Sequence, residues 1–242
     1  MAKTITMQDI ADKIGVSKVT VSKALSDKDG VSEELKKKIK SLADELGYRY
    51  NASAQAMKSG VSFNVGVIVP EKFTGDYRSF YLTVYQHLTK ALEVYRYSSI
   101  LHILSDEDEL NLTLPRSYFD RKVDAYIVLG QVSKGYVELL NNSEVPIIFL
   151  DFYDDHAEVD SINTDNFYGA YGLTNYLIKN NHMAIAFVGS IHSTSSIQDR
   201  YLGYYKSLLE HKILVNQAYI IEDRDSKGKL IPIELPKEMP TA

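Results

Sequence analysis

The chain has 242 residues, a formal net charge of −5, 45% hydrophobic residues, 24% charged residues and no cysteine. That balance is ordinary for a globular protein, and the missing cysteine excludes disulfides, thiolate catalysis and cysteine-bound metal. No apolar run reaches the length of a membrane span, and the first residues lack the layout of a secretory signal, so a cytoplasmic protein is expected.

Charge is spread unevenly. Residues 1–60 hold 11 Lys/Arg against 8 Asp/Glu, and the remainder holds 16 against 24. A mildly basic head therefore precedes an acidic body. Phosphates attract the first and repel the second, so only the head should touch a nucleic acid.

The head reads as three short helices. Thr6 is an N-cap for a first helix ending near Ile14, with Ile10, Ala11 and Ile14 as its inner face. A turn at Gly15-Val16 leads to Ser17, the cap of a second helix. There Val21, Ala24 and Leu25 fall at i, i+3, i+4 and bury together. Lys18, Val19, Ser22 and Lys23 fall on the opposite side. A short cationic helix with small polar residues facing outward suits a DNA major groove. Ser32 caps a third helix, with Glu33 and Glu34 at the positive end of its dipole, an apolar stripe at Leu35, Ile39, Leu42, Ala43 and Leu46, and Gly47 as a stop.

Residues 49–60 are rich in alanine but too short and polar to form a helix that is stable alone, so they read as a linker that folds when held. From Phe63, short apolar runs alternate with longer helical ones. The strands expected are Asn64–Val69, Ser98–Leu104, Val123–Leu129, Pro146–Asp151, Ala184–Ser190 and Ala218–Glu222. Between them, Phe80, Val84, Leu88, Leu92 and Tyr95 share a helical face, and further helices are expected near Tyr136–Asn141, Phe167–Asn180 and Ile197–Leu209. Near-continuous apolar strands alternating with helices predict a parallel sheet covered on both faces, with ligands outside the carboxyl ends of the strands. A polar, proline-interrupted tail follows from Asp223 to Ala242. The six histidines, His102 and His182 among them, show no metal-ligand spacing, and neither a nucleophile elbow nor a phosphate-binding loop is present. No cofactor, metal or catalytic residue is expected, and the chain does not read as an enzyme.

These residues resemble the LacI/GalR-type bacterial transcriptional repressors. The likeness is carried in the head by ITMQDIADKIGVSKVTVSKAL, by Gly30-Val31-Ser32 and by LGYRYNASAQAM. In the body it is carried by VGVIVP, KVDAYIVLG, VPIIFLD, INTDNFYGAYGLTNYLI and DRYLGYYKSLLEHKI, in the family's order. The resemblance implies an all-α helix-turn-helix headpiece (1–48), a hinge helix (49–60) and an α/β periplasmic-binding-protein-like core lobe (61–242). It implies a core that is mainly the first of two lobes, with the second reached near Met239-Pro240-Thr241-Ala242. It also implies a homodimer on double-stranded operator DNA, controlled by a small-molecule effector such as a sugar, sugar phosphate or purine.

By the same resemblance, Thr6, Ser17, Thr20 and Ser32 donate to phosphates, and Lys18, Val19 and Lys23 read bases beside Ser22. Lys23 stands where arginine is frequent and lacks its rigid bidentate fork. Val19 matches a contact to a thymine methyl. Asn51, Ala54, Gln55 and Met57 match the hinge helix that wedges the minor groove, with Tyr50 where proline is usual. Phe80, Asp151 and Arg200 match effector contacts. Their plainer alternatives are core packing for Phe80, a strand-end cap for Asp151 and an ion pair for Arg200. The rival readings of the whole are a solute- or sugar-binding α/β protein and an isolated fragment without effector response.

Overall fold

The computed structural model describes residues 5–49, 60–75, 79–154, 158–225 and 228–242. The chain divides into two compact units, Met1–Gly60 and Val61–Ala242.

In the first unit, α1 (Met7–Ile14), α2 (Lys18–Leu25) and α3 (Glu33–Glu45) enclose Ile10, Ala11, Val21, Ala24, Ile39 and Ala43. Each helix start is capped as expected. The Thr6 hydroxyl accepts from the Asp9 N–H, and the Asp9 carboxylate accepts from the Thr6 N–H at 2.8 Å and from the Thr6 hydroxyl, closing a reciprocal box. Ser17 accepts from the Thr20 N–H and Ser32 from the Leu35 N–H. Gly15 ends α1 at φ 79°, and Gly47 follows α3 at φ 66°. Both occupy the left-handed region that a side chain disfavours. Small domains have little core, so these caps carry a large share of the order.

In the second unit a five-stranded, all-parallel sheet runs in the order β2 (Ser98–Leu104), β1 (Asn64–Pro70), β3 (Ala125–Leu129), β4 (Ile147–Leu150), β5 (Asp160–Ile162). Alternation along β1 sends Ile68 to one face, packed with Tyr126, Tyr136, Phe149 and Phe152. It sends Val67 and Val69 to the other, packed beneath Tyr81, Val84, Tyr85 and Leu88 of α4 (Phe80–Val94). Asp124 fastens the start of β1, its two carboxylate oxygens accepting the Ser62 and Phe63 N–H groups at 2.7 and 2.8 Å.

Three expectations change. The inner face of α4 is Tyr81, Val84, Tyr85 and Leu88, while Phe80 is 62% exposed and Tyr95 77% exposed, so core packing does not account for Phe80. Strand β5 went unread because all three of its residues are exposed at the sheet edge and carry no apolar run. Finally, the six expected strands do not share one sheet. β6 (Phe187–Val188) and β7 (Ile220–Ile221) form a separate parallel pair, packed with α8 (Asn166–Lys179) and α9 (Ser195–Glu210) around Ile178, Ile185, Tyr204 and Leu208. Helices α5 (Asp106–Leu110), α6 (Arg116–Phe119) and α7 (Lys134–Asn141) complete the layers of the first sheet. Thr241 and Ala242 lie beside the segment leading into β6, with the Thr241 N–H on the Ala184 carbonyl and the Ala186 N–H on the Ala242 carbonyl.

Candidate functional site

Two regions collect the singled-out residues. In the headpiece, α2 buries Val21 and Ala24 and turns Lys18, Val19 and Lys23 outward, with Ser22 half-buried between the two faces. Val19 is 64% exposed, a large apolar side chain left in water beside two cations. Two of the head's other lysines are tied down. Lys36 is buried and gives its ammonium to Glu33 at 2.8 Å, and Lys40 pairs with Asp27. Lys18 and Lys23 form no ion pair among the described residues, so their charge is free to act outward.

The hydroxyls differ in what they have to give. The Thr6 proton is committed to Asp9 at 2.6 Å. Ser17 and Thr20 share one hydrogen bond at 2.9 Å, so between them one proton stays available. Ser32 accepts from Leu35, and its own proton has no acceptor among the described residues. The ends of α2 and α3 thus keep donors for an anion, whereas Thr6 presents a closed capping box. Asn51, Ala54, Gln55 and Met57 lie outside the described residues.

In the core, Phe80, Asp151 and Arg200 line one cavity of about 720 Å³. Its floor is the carboxyl end of the five-stranded sheet, where β1 passes into the turn Glu71–Phe73 and β4 ends at Asp151. Its far wall is α9 with the segment after β7. Asp151 stands at φ 68°, and its N–H donates to the Ile162 carbonyl, so it does end the strand as well as face the cavity. Arg200 is exposed and forms no ion pair among the described residues, which removes the plainer account of it.

Tyr81, one residue beyond the aromatic expected here, is the deeper side chain. Its phenol donates to Asp151 Oδ2 at 2.8 Å. Its ring packs on Phe73 at 4.9 Å and Phe80 at 5.2 Å. Burial first, and the Asp151 carboxylate second, raise the phenol well above its ordinary pKa, so it acts as a donor at any working pH. A Cβ at Gly130 would meet the Tyr81 ring at 2.8 Å, and Gly130 holds φ 81°. The glycine at the end of β3 therefore makes room for the tyrosine. A smaller cavity of about 460 Å³ adjoins, sharing Lys72, Phe73, Thr194, Arg224 and Gly228. The two halves of the core are joined by the Gln131 amide, which accepts the Ser195 N–H at 2.7 Å, and by the Tyr153 phenol on Asp199 at 3.0 Å.

Sequence reading missed Tyr81, Lys72, Gln131 and Arg224. The adjacent aromatic pair Phe80-Tyr81 was the only trace, because helical phase at a strand end is set by tertiary contacts.

The geometry agrees with known proteins. Residues 6–51 match the profile of bacterial regulatory proteins of the lacI family, and residues 62–228 match that of periplasmic binding proteins and the sugar binding domain of the LacI family. Catabolite control protein A of Priestia megaterium is 28% identical over 220 residues, 90% of this chain and 65% of that protein. The HTH-type transcriptional regulator RegA of Clostridium saccharobutylicum is 29% identical over 219 residues, with the same shares. The chain thus spans just under two thirds of the length of these relatives, of which RegA is a transcriptional regulator by name. Among solved structures, the lac repressor dimer bound to operator and an anti-inducer superposes with a TM-score of 0.69 at 21% identity, covering 88% of this chain and 64% of that one. The transcription regulator CcpA of Lactococcus lactis gives 0.55 at 27%, covering 67% and 59%. A capped helix-turn-helix head, a parallel sheet opening onto a ligand-sized cavity and profiles matching both units lead to one assignment: the chain belongs to the lacI family of bacterial regulatory proteins.

Proposed function

We propose that the chain is a sequence-specific DNA-binding transcriptional regulator, acting as a repressor in the cytoplasm and controlled by a small molecule in the core cavity. One observation carries this reading. The outer face of α2 presents Lys18, Val19 and Lys23 together, the cations without an ion pair among the described residues and the valine 64% exposed, directly after a serine cap. A fold needs no such face for its own stability. A major groove does, since lysine reaches guanine O6/N7 and an apolar side chain meets a thymine methyl.

Ser17, Thr20 and Ser32 are assigned to the DNA phosphates, with Thr6 beside them although its hydroxyl is engaged by Asp9; Ser22 is assigned to the base-reading face, and Asn51, Ala54, Gln55 and Met57 to the minor groove at the operator centre. A homodimer places two headpieces on two half-sites. Phe80, Asp151 and Arg200 are assigned to the effector, a sugar, sugar phosphate or purine. Its support is their convergence on one cavity of about 720 Å³, within the size range of small-molecule sites. Effector binding then biases the two halves of the core and through them the hinge. No catalytic step is assigned to any residue.

The test is binding to a panel of operator variants, the operator first being selected from random duplexes. Lys23→Ala should flatten discrimination at one base pair by about 1–3 kcal/mol, whereas Thr20→Ala should weaken all sequences alike. If both variants bind the panel as the unaltered protein does, the assignment of α2 is wrong.

A further inference from the structure

Four cations from three segments converge on the larger cavity. Lys72 comes from the turn after β1, Arg200 from α9, and Arg224 and Lys229 from the segment after β7. Among the described residues two carboxylates, Glu71 and Asp151, share its lining, and one oxygen of Asp151 already accepts from Tyr81. This reverses the balance of the core as a whole, where residues 61–242 hold 16 Lys/Arg against 24 Asp/Glu. The smaller cavity adds Glu222 and Asp225 beside the shared Lys72 and Arg224. Its lining is balanced and those two carboxylates are exposed, so the positive excess belongs to the larger space.

Two of these cations are ion-paired and one is not. Lys72 lies 3.7 Å from Glu109 and 5.4 Å from the Phe73 ring centroid. Arg224 gives Nε to Asp223 at 3.2 Å, and no other ion pair of Arg224 exists among the described residues. Arg200 has none there. Both guanidinium groups belong to the lining that also holds the Tyr81–Asp151 pair. A neutral ligand filling this space would strip water from two guanidinium groups and return little; an anion would pair with them.

We infer that the cavity takes a polyhydroxylated ligand bearing an anionic group, a phosphoryl or a carboxylate, seated on Arg200, Arg224 and Lys72. Its hydroxyls donate to the Asp151 oxygen that Tyr81 leaves open, and Phe73, Phe80 and Tyr81 pack its apolar surface. The planar fork of arginine matches the tetrahedral or planar oxyanion better than an ammonium does. This inference rests on reading the cavity as the effector site and narrows its ligand class.

Inorganic phosphate is the probe, titrated against the whole chain at constant ionic strength with chloride as counterweight, and read by calorimetry and thermal melting. Phosphate is expected to bind and raise the melting temperature. Arg224→Gln and, on a separate element, Arg200→Gln should each weaken it about tenfold or more, with Arg224→Lys recovering part of the loss. Asp151→Asn should leave phosphate binding intact or strengthen it, which separates a working anion seat from hydroxyl recognition. No phosphate-specific binding, or binding unchanged in both glutamine variants, overturns the inference; the second result would place the anion on the headpiece. The effector reading fails on different grounds, if no neutral sugar, sugar phosphate or purine alters operator affinity.

Discussion

At the scale of single residues, the half-buried His102 of the core carries a pH dependence. His102 lies on β2 opposite Ile68 of β1, and its Nε2 is buried without a partner among the described residues. Burial lowers its pKa below the ordinary 6.5, and the nearby Asp108 carboxylate offsets only part of that. The unfolded chain therefore takes up the proton first as pH falls. The stability linked to this group is complete above about pH 6.5 and is lost as pH drops toward the depressed folded value. Thermal melting between pH 7.5 and 5 should show a steeper decline for the natural sequence than for His102→Leu, which has no proton to bind. Equal slopes would mean that the imidazole is solvated in the folded protein. Nothing in the sequence marked His102 apart from the other five histidines. Its position on the inward phase of an edge strand does so only once the sheet order is known.

At the scale of elements, the pairing of α8 with α9 depends on a glycine. A Cβ at Gly203 would run into the Phe167 carbonyl and lie 2.9 Å from the Tyr171 nitrogen. Backbone cannot give way as a flexible side chain can, so Gly203→Ala should cost about 1–3 kcal/mol in urea unfolding of the core. The headpiece transition should stay in place, because it belongs to a separate unit. A change in the headpiece transition instead would show that the two units do not unfold independently. The elements also show what sequence makes legible. Caps at Thr6, Ser17 and Ser32 were readable because capping is a contact across three residues. β1 and β2 were readable because their apolar runs are nearly unbroken. Exposed β5 was not, and neither was the separation of β6 and β7 from the larger sheet, since sheet membership depends on partners far along the chain. In the cavity, Asp151 and Arg200 were legible through their motifs. Tyr81 and Arg224 were not, because only folding brings them there.

At the scale of the whole molecule, a basic head is joined to an acidic body. Operator affinity should fall linearly with salt on logarithmic axes, with a slope set by head contacts alone. Lys18→Ala should reduce that slope by about 1. Neutralising exposed acidic residues of the core, such as Asp106 and Glu107 of α5, should strengthen binding to every sequence without changing preference. A flat salt response would rule out phosphate contacts as the source of affinity. The two bonds between the halves of the core carry a mechanical corollary. Gln131–Ser195 and Tyr153–Asp199 both end on the first turns of α9, four residues apart. Two anchorages a helical turn apart oppose sliding along α9 more than rotation about it, so Gln131→Ala or Tyr153→Phe should loosen the space that holds Arg200 and Asp151, read as faster amide exchange in the first turns of α9.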